Sequence, residues 1–91
     1  MSLNYLYLTP KTKLKSKIND SIWQVAFLDN PVFNDYMPVM LRLLEGENPD
    51  NPELEIGDTW WIYASDEVKE KASSEGKAAY MSLDDFELLE E

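Results

Sequence analysis

Thr59-Trp60-Trp61-Ile62-Tyr63-Ala64 consists almost wholly of aromatic and β-branched residues, and two of its indoles are adjacent. Such a run is extended rather than helical, because these side chains pack well on a pleated surface. Neighbouring side chains on a strand point to opposite faces, so a sheet covered on one side can bury only one of the two indoles. Trp60, Ile62 and Ala64 share one face, and Thr59, Trp61 and Tyr63 share the other. The chain must fold around a sheet containing this strand, and the second face has three fates. A helix or the preceding loop covers it, a second copy buries it, or it serves as a recognition patch. Small domains rarely leave a large apolar patch open, which favours cover; Trp and Tyr are favoured interface anchors, which places an interface next.

The strand is preceded by Glu45-Gly-Glu-Asn-Pro-Asp-Asn-Pro-Glu53, with two prolines, two asparagines and four acids in nine residues. This tract reads as a solvated acidic loop, since Pro and Asn favour turns and its charges resist burial. It also divides the chain electrically. Residues 1–44 carry five basic and three acidic side chains, a net +2, whereas residues 45–91 carry three basic and fifteen acidic ones, a net −12. The acidic half, which ends in Glu90-Glu91, repels phosphates and anionic lipid heads and attracts basic protein surfaces. Direct nucleic acid binding and membrane association are therefore not expected.

Ninety-one residues suffice for a single globular domain with a modest core. The chain has neither Cys nor His. Disulfides, thiolate nucleophiles, Cys-based zinc sites, and the commonest general base and metal ligand are excluded by inventory. Carboxylate pairs such as Asp84-Asp85 and Glu53/Glu55 are available for acid–base work, but no nucleophile or Gly-rich loop accompanies them, so no enzyme activity is expected. "NPDNPELEIGDTW" offers oxygen ligands without the alternating pattern and central Gly of a calcium loop, and no cofactor is expected. With no apolar run long enough to span a membrane, and basic residues following the apolar N-terminal stretch, the default compartment is the cytoplasm.

The remaining elements are read from periodicity and punctuation. Tyr5–Leu8 is a short strand ending at Thr9-Pro10. Lys11, Lys13, Lys15 and Lys17 alternate in the manner of a strand, but Leu14, Ile18, Ile22 and Val25 form a helical stripe, and Thr9-Pro10 starts a helix well; the helix is preferred. Ser21 and Gln24 fit a capping box for a helix to Leu28. A further helix runs from Asn34-Asp35 to Gly46, with Pro38 in its first turn. Ser65 caps a helix that begins with Asp66 and Glu67 and ends between Ser73 and Gly76. Lys77–Ser82 is a strand, and Ser82 opens a terminal helix bearing Leu83, Phe86 and Leu89. These elements predict an α+β single domain, a three-stranded or four-stranded sheet, mixed or antiparallel, with helices on one face.

The functional expectation is an acidic, non-enzymatic interaction protein that docks on a basic surface of a partner protein. An inhibitor, an immunity-type protein or a nucleic-acid mimic, such as phages and mobile elements carry, would have this character. The docking residues are expected to be Trp61 and Tyr63 with Glu47, Asp50, Glu53, Glu55, Asp58, Asp66 and Glu67. The runner-up is an assembly subunit that self-associates, as a homodimer for example, through its aromatic strand face.

Overall fold

In Lys13-Leu14-Lys15-Ser16, alternation prevails over the helical stripe. A computed structural model describes residues 8–30, 32 and 34–89, and in it these four residues form β1 (Lys13–Ser16). Leu14 and Ser16 face inward, fully buried, while Ile18, assigned above to the helical stripe, is 54% exposed. The Lys17–Ser21 turn settles the matter. Asp20 adopts φ 62°, in the left-handed region that Asp tolerates better than most residues, and the Ser16 amide donates to Ser21 O at 2.8 Å. That turn folds β2 (Ile22–Leu28) back on β1 as an antiparallel hairpin.

Two further segments expected to be helical are strands. Ser21 does not cap a helix; its hydroxyl accepts from the Trp23 indole at 2.8 Å and lies 2.7 Å from Asn19 Oδ1. The 34–46 stretch yields β3 (Val39–Glu45), with Val39, Leu41 and Leu43 buried and Met40, Arg42 and Leu44 on the other face. Leu and Met favour helices by only tenths of a kcal/mol per residue. Pairing with β2 on one side and β4 (Thr59–Ile62) on the other overrides that preference.

After β4 the chain forms α1 (Asp66–Ser74), capped as expected by Ser65, whose Oγ accepts from the Val68 amide. Of the helix, only Ala72 is fully buried. Residues 77–81 are not a strand, and the terminal segment is not an α-helix. A single parallel bridge joins Tyr63 to Ser82, a 3-10 turn follows at Leu83–Asp85, and β5 (Phe86–Leu88) then pairs antiparallel with β1. Among the described residues the result is a five-stranded antiparallel sheet of order β4-β3-β2-β1-β5, rather than three or four strands, with one α-helix; the class remains α+β. The expected strand at Tyr5–Leu8 lies outside the described residues except for Leu8, which joins the core, and Glu90 and Glu91 also lie outside them.

The edges of this sheet approach one another. Ser82 touches the end of β4 and Phe86 pairs with Ser16 of β1, so four residues, at most ~14 Å of chain, reach from one edge to the other. The sheet must curl, and its concave side holds Leu14, Trp23, Val25, Leu41, Leu43 and Ile62 against Met81, Leu83 and Phe86. Gly46, at φ 88° just after β3, packs where an added Cβ would lie 3.1 Å from Ser21 Cα and Cβ. Gly46→Ala is expected to cost about 2 kcal/mol, combining left-handed strain with the clash. Gly57→Ala, also at positive φ but with open space around it, should cost about 1 kcal/mol; paired urea denaturation curves would compare them. Among the described residues no helix is long and apolar enough to cross a membrane.

Candidate functional site

The convex face of the sheet carries a row built by register. Phe27 of β2 pairs with Met40 of β3, and Met40 with Trp61 of β4. Val25 pairs with Leu41 while Phe27 pairs with Met40, so Ala26 is an extra residue, a bulge. Without it, Val25 and Phe27 would face the same way; with it, Val25 enters the core and Phe27 turns outward. Phe27 remains 49% exposed and meets Trp61 edge to face, with ring centroids 6.2 Å apart. Trp60 turns to the core side as expected, its ring 5.0 Å from that of Tyr80.

Beyond Trp61 the convex face dips into a cavity of about 400 Å³, lined by Tyr36, Met37, Trp61, Tyr63, Lys77 and Tyr80 together with Asn34 and Ala78. Trp61 and Tyr63 do share this face, as strand parity requires. Tyr63, however, is buried and is not the open anchor expected of it. The segment 78–80 covers it: its hydroxyl donates to Ala78 O at 2.5 Å and its ring stacks with Tyr80 at 6.3 Å. Burial raises its pKa, with the neighbouring Tyr80 adding to the effect and Lys69 opposing it.

Tyr36, half-buried, lines the same cavity. Its hydroxyl donates to the Glu75 carboxylate, 2.7 and 2.9 Å from the two oxygens. Two ammonium groups lie over its ring, Lys77 at 5.1 Å and Lys71 at 5.4 Å, both within cation–π range. The hydrogen bond to Glu75, and then desolvation and the charges of Glu75 and Asp35, push its pKa up to about 12. Folding thus favours the protonated phenol. Any stability linked to it is complete below the ordinary phenol value of about 10 and is lost as pH rises through the folded-state value. In an ultraviolet phenolate titration, Glu75→Gln should move one tyrosine back toward pH 10 and leave the late-titrating Tyr63 in place.

The acidic residues divide by task. The 46–58 segment joins β3 to β4, and in it Glu47, Glu53, Glu55 and Asp58 are exposed. Asp58 is partly engaged, its carboxylate accepting from the Glu55 amide. Asp50 instead turns inward: Oδ2 accepts from the Trp60 indole at 3.1 Å and from the Met81 amide at 2.8 Å, tying the loop to both β4 and the approach to β5. The neighbouring Asn48 is buried and its Oδ1 accepts from the Asp50 amide. Asp66 is tied down as well, accepting from the Ser82 hydroxyl, while its own amide donates to Asp84. Asp85 accepts from the Ser82 amide at 2.9 Å and pairs with Lys69 at 3.5 Å. Glu67 is exposed in the first turn of α1.

Loop and cavity therefore lie toward opposite ends of β4. Asp58 precedes the strand and Trp61 is three residues on, about 10 Å along an extended chain. That distance slightly exceeds the Debye length of about 8 Å at physiological salt, so the loop charges act on the cavity mainly at low ionic strength. Two carboxylates are bound to residues that line the cavity, Glu75 on the Tyr36 hydroxyl and Asp29 on the Asn34 side-chain amide. Phe27, Tyr36, Met40, Lys77 and Tyr80 were missed by sequence reasoning. Reading residues 39–45 by period two would have placed Met40 on the face opposite the Val39-Leu41-Leu43 set; the bulge beneath Phe27 leaves no such signal. Among the described residues no group of three or more acidic side chains is placed to hold a metal ion. No protein-family model, curated protein or solved structure matches the chain.

Proposed function

We propose that this protein is a non-enzymatic interaction module whose exposed carboxylates engage a basic surface on a partner protein, with Trp61 as its apolar anchor. The observation that carries this reading is the convex row Phe27-Met40-Trp61, still partly open to solvent, on a chain of net charge −10. Phe27 and Met40 take the anchoring place first given to Tyr63, and Glu47, Glu53, Glu55, Asp58 and Glu67 supply the charge. Asp50 and Asp66 serve the fold instead. Rim charge of this kind acts mainly on the rate of encounter, and buried ring contacts act mainly on release. An inhibitor or immunity-type protein for a basic target, or a nucleic-acid mimic, fits this division of labour.

The test uses a defined polycation, a poly-lysine of about twenty residues, and two variants of equal charge change. Glu53→Gln/Glu55→Gln should slow association several-fold at low salt, with the difference vanishing at high salt. Glu70→Gln/Glu87→Gln, carrying the same charge change away from the loop, should have less effect. Equal effects of the two pairs would show that only total charge matters and would remove the docking face.

The second reading, self-association through the same row, draws on the exposure of Phe27 at 49%. Light scattering over a hundred-fold range of concentration distinguishes the two. A constant monomer mass supports partner docking, and a mass that doubles and returns to monomer in Phe27→Glu supports the assembly role.

A further inference from the structure

The face of Tyr36 already does, within this chain, what a binding pocket for a cation would do for a partner. Two lysine ammonium groups lie 5.1 and 5.4 Å from its centroid, and its hydroxyl is held by a carboxylate. Both lysines and Glu75 are exposed. Lys77 lines the cavity beside Tyr36, Trp61, Tyr63 and Tyr80, so one flexible, solvent-accessible ammonium is set at an opening walled by four aromatic rings. At about 400 Å³ the cavity is within the range that accepts a side chain or small ligand. A lysine stem also matches such walls, apolar along its length with a charge at the tip.

We propose that this cavity is a cation pocket into which a basic partner inserts a lysine or arginine side chain, taking the place over Tyr36 that Lys77 holds in the free protein. The inference rests on the docking reading for the source of the cation, and it deepens that reading by naming the group that enters the fold. Charge complementarity selects this occupant. Once Lys77 is displaced, Glu75 on the Tyr36 hydroxyl and the charge of Asp35 face Lys71 alone, and the aromatic faces favour cations over anions or neutral groups. Lys77 then acts as an internal competitor: it screens the ring until a partner cation displaces it.

The geometry is tested on the full chain by following backbone amide shifts during titration with Nα-acetyl-lysine amide and with Nα-acetyl-norleucine amide, which has a similar apolar stem without the charge. The lysine compound should bind about two- to five-fold more tightly, the preference a cation gains on an exposed ring, and should shift the amides of Tyr36, Trp61 and Tyr80. Lys77→Gln should tighten the lysine compound and leave norleucine unchanged. Tyr36→Leu should abolish the preference, whereas Tyr36→Phe, which keeps the ring and drops the hydroxyl, should retain it. If Tyr36→Leu does not fold, the Lys77 variant alone decides. Equal binding of the two compounds, absence of shifts at the cavity, or weaker lysine binding in Lys77→Gln would each overturn the pocket. The pocket and the docking surface fail separately. Loop-dependent poly-lysine binding without any lysine preference leaves docking standing, and the lysine preference without loop-dependent binding leaves only the pocket.

Discussion

Trp23→Ala is expected to remove about 4 kcal/mol of stability, the range for deleting a fully buried large aromatic side chain. Trp23 has no exposed surface and sits in the strand at the centre of the sheet, opposite Leu14 on one side and Leu43 on the other. Its indole meets Phe86 edge to face at 6.2 Å, which fastens β5 to the core, and its Nε1 donates to Ser21 in the β1–β2 turn. A domain of this length has a total stability of roughly 5–14 kcal/mol, so the variant should keep only about 1–10 kcal/mol and unfold at a much lower urea concentration. Trp23→Phe keeps a ring against Phe86 and should lose about half as much. Urea midpoints with unchanged slopes give both values. A loss below about 1 kcal/mol for the alanine variant would mean that the inward face of β2 is wrongly identified.

Asp50→Ala should cost about 3 kcal/mol, since it strips the acceptor from two donors at once, the Trp60 indole and the Met81 amide. Asp50→Asn keeps an oxygen at that position and should cost about 1 kcal/mol. Glu53→Ala, exposed in the same loop, should change stability by less than about 0.5 kcal/mol. The comparison separates an acid that organises the fold from one available to a partner. Denaturation followed by far-ultraviolet circular dichroism measures all three; a loss for Asp50→Ala no larger than that for Glu53→Ala would show that the loop is not latched through its carboxylate.

The acidic composition therefore has two roles that its total charge conceals. Asp50, Asp66, Asp84 and Asp85 accept hydrogen bonds that join the loop, the start of α1 and the approach to β5. Of the four, only Asp85 bonds locally, to the amide three residues before it; the other three join segments remote in sequence. Glu47, Glu53, Glu55 and Glu67 have longer, exposed side chains and keep their charges in water.

Local signals were legible where one residue type decides a local geometry. The run at Thr59–Ile62 is a strand because little else accommodates adjacent aromatic and branched side chains, and Ser65 followed by two acids starts a helix because it satisfies the first amides and the helix dipole. The wrong assignments share a cause. In 11–18, 21–28 and 34–46 the apolar residues fit both periods, and the deciding interactions were the Lys17–Ser21 turn and pairings with other strands, one of them, β1 with β5, remote in sequence. Helical propensity is a weak local preference, and a strand gains its hydrogen bonds only from a partner that the sequence does not name.

Composition and order along the chain determined by themselves the α+β class, the absence of thiol and imidazole chemistry, the acidic half, and the opposed faces of Trp60 and Trp61. Tertiary structure alone decided the rest: five strands instead of three or four, the covering of Tyr63 by residues 78–80, the inward turn of Asp50, and the bulge at Ala26 that brings Phe27 beside Trp61. The physical reason is range. Side-chain parity and capping act within a few residues, whereas burial and register depend on which distant segment arrives to complete them.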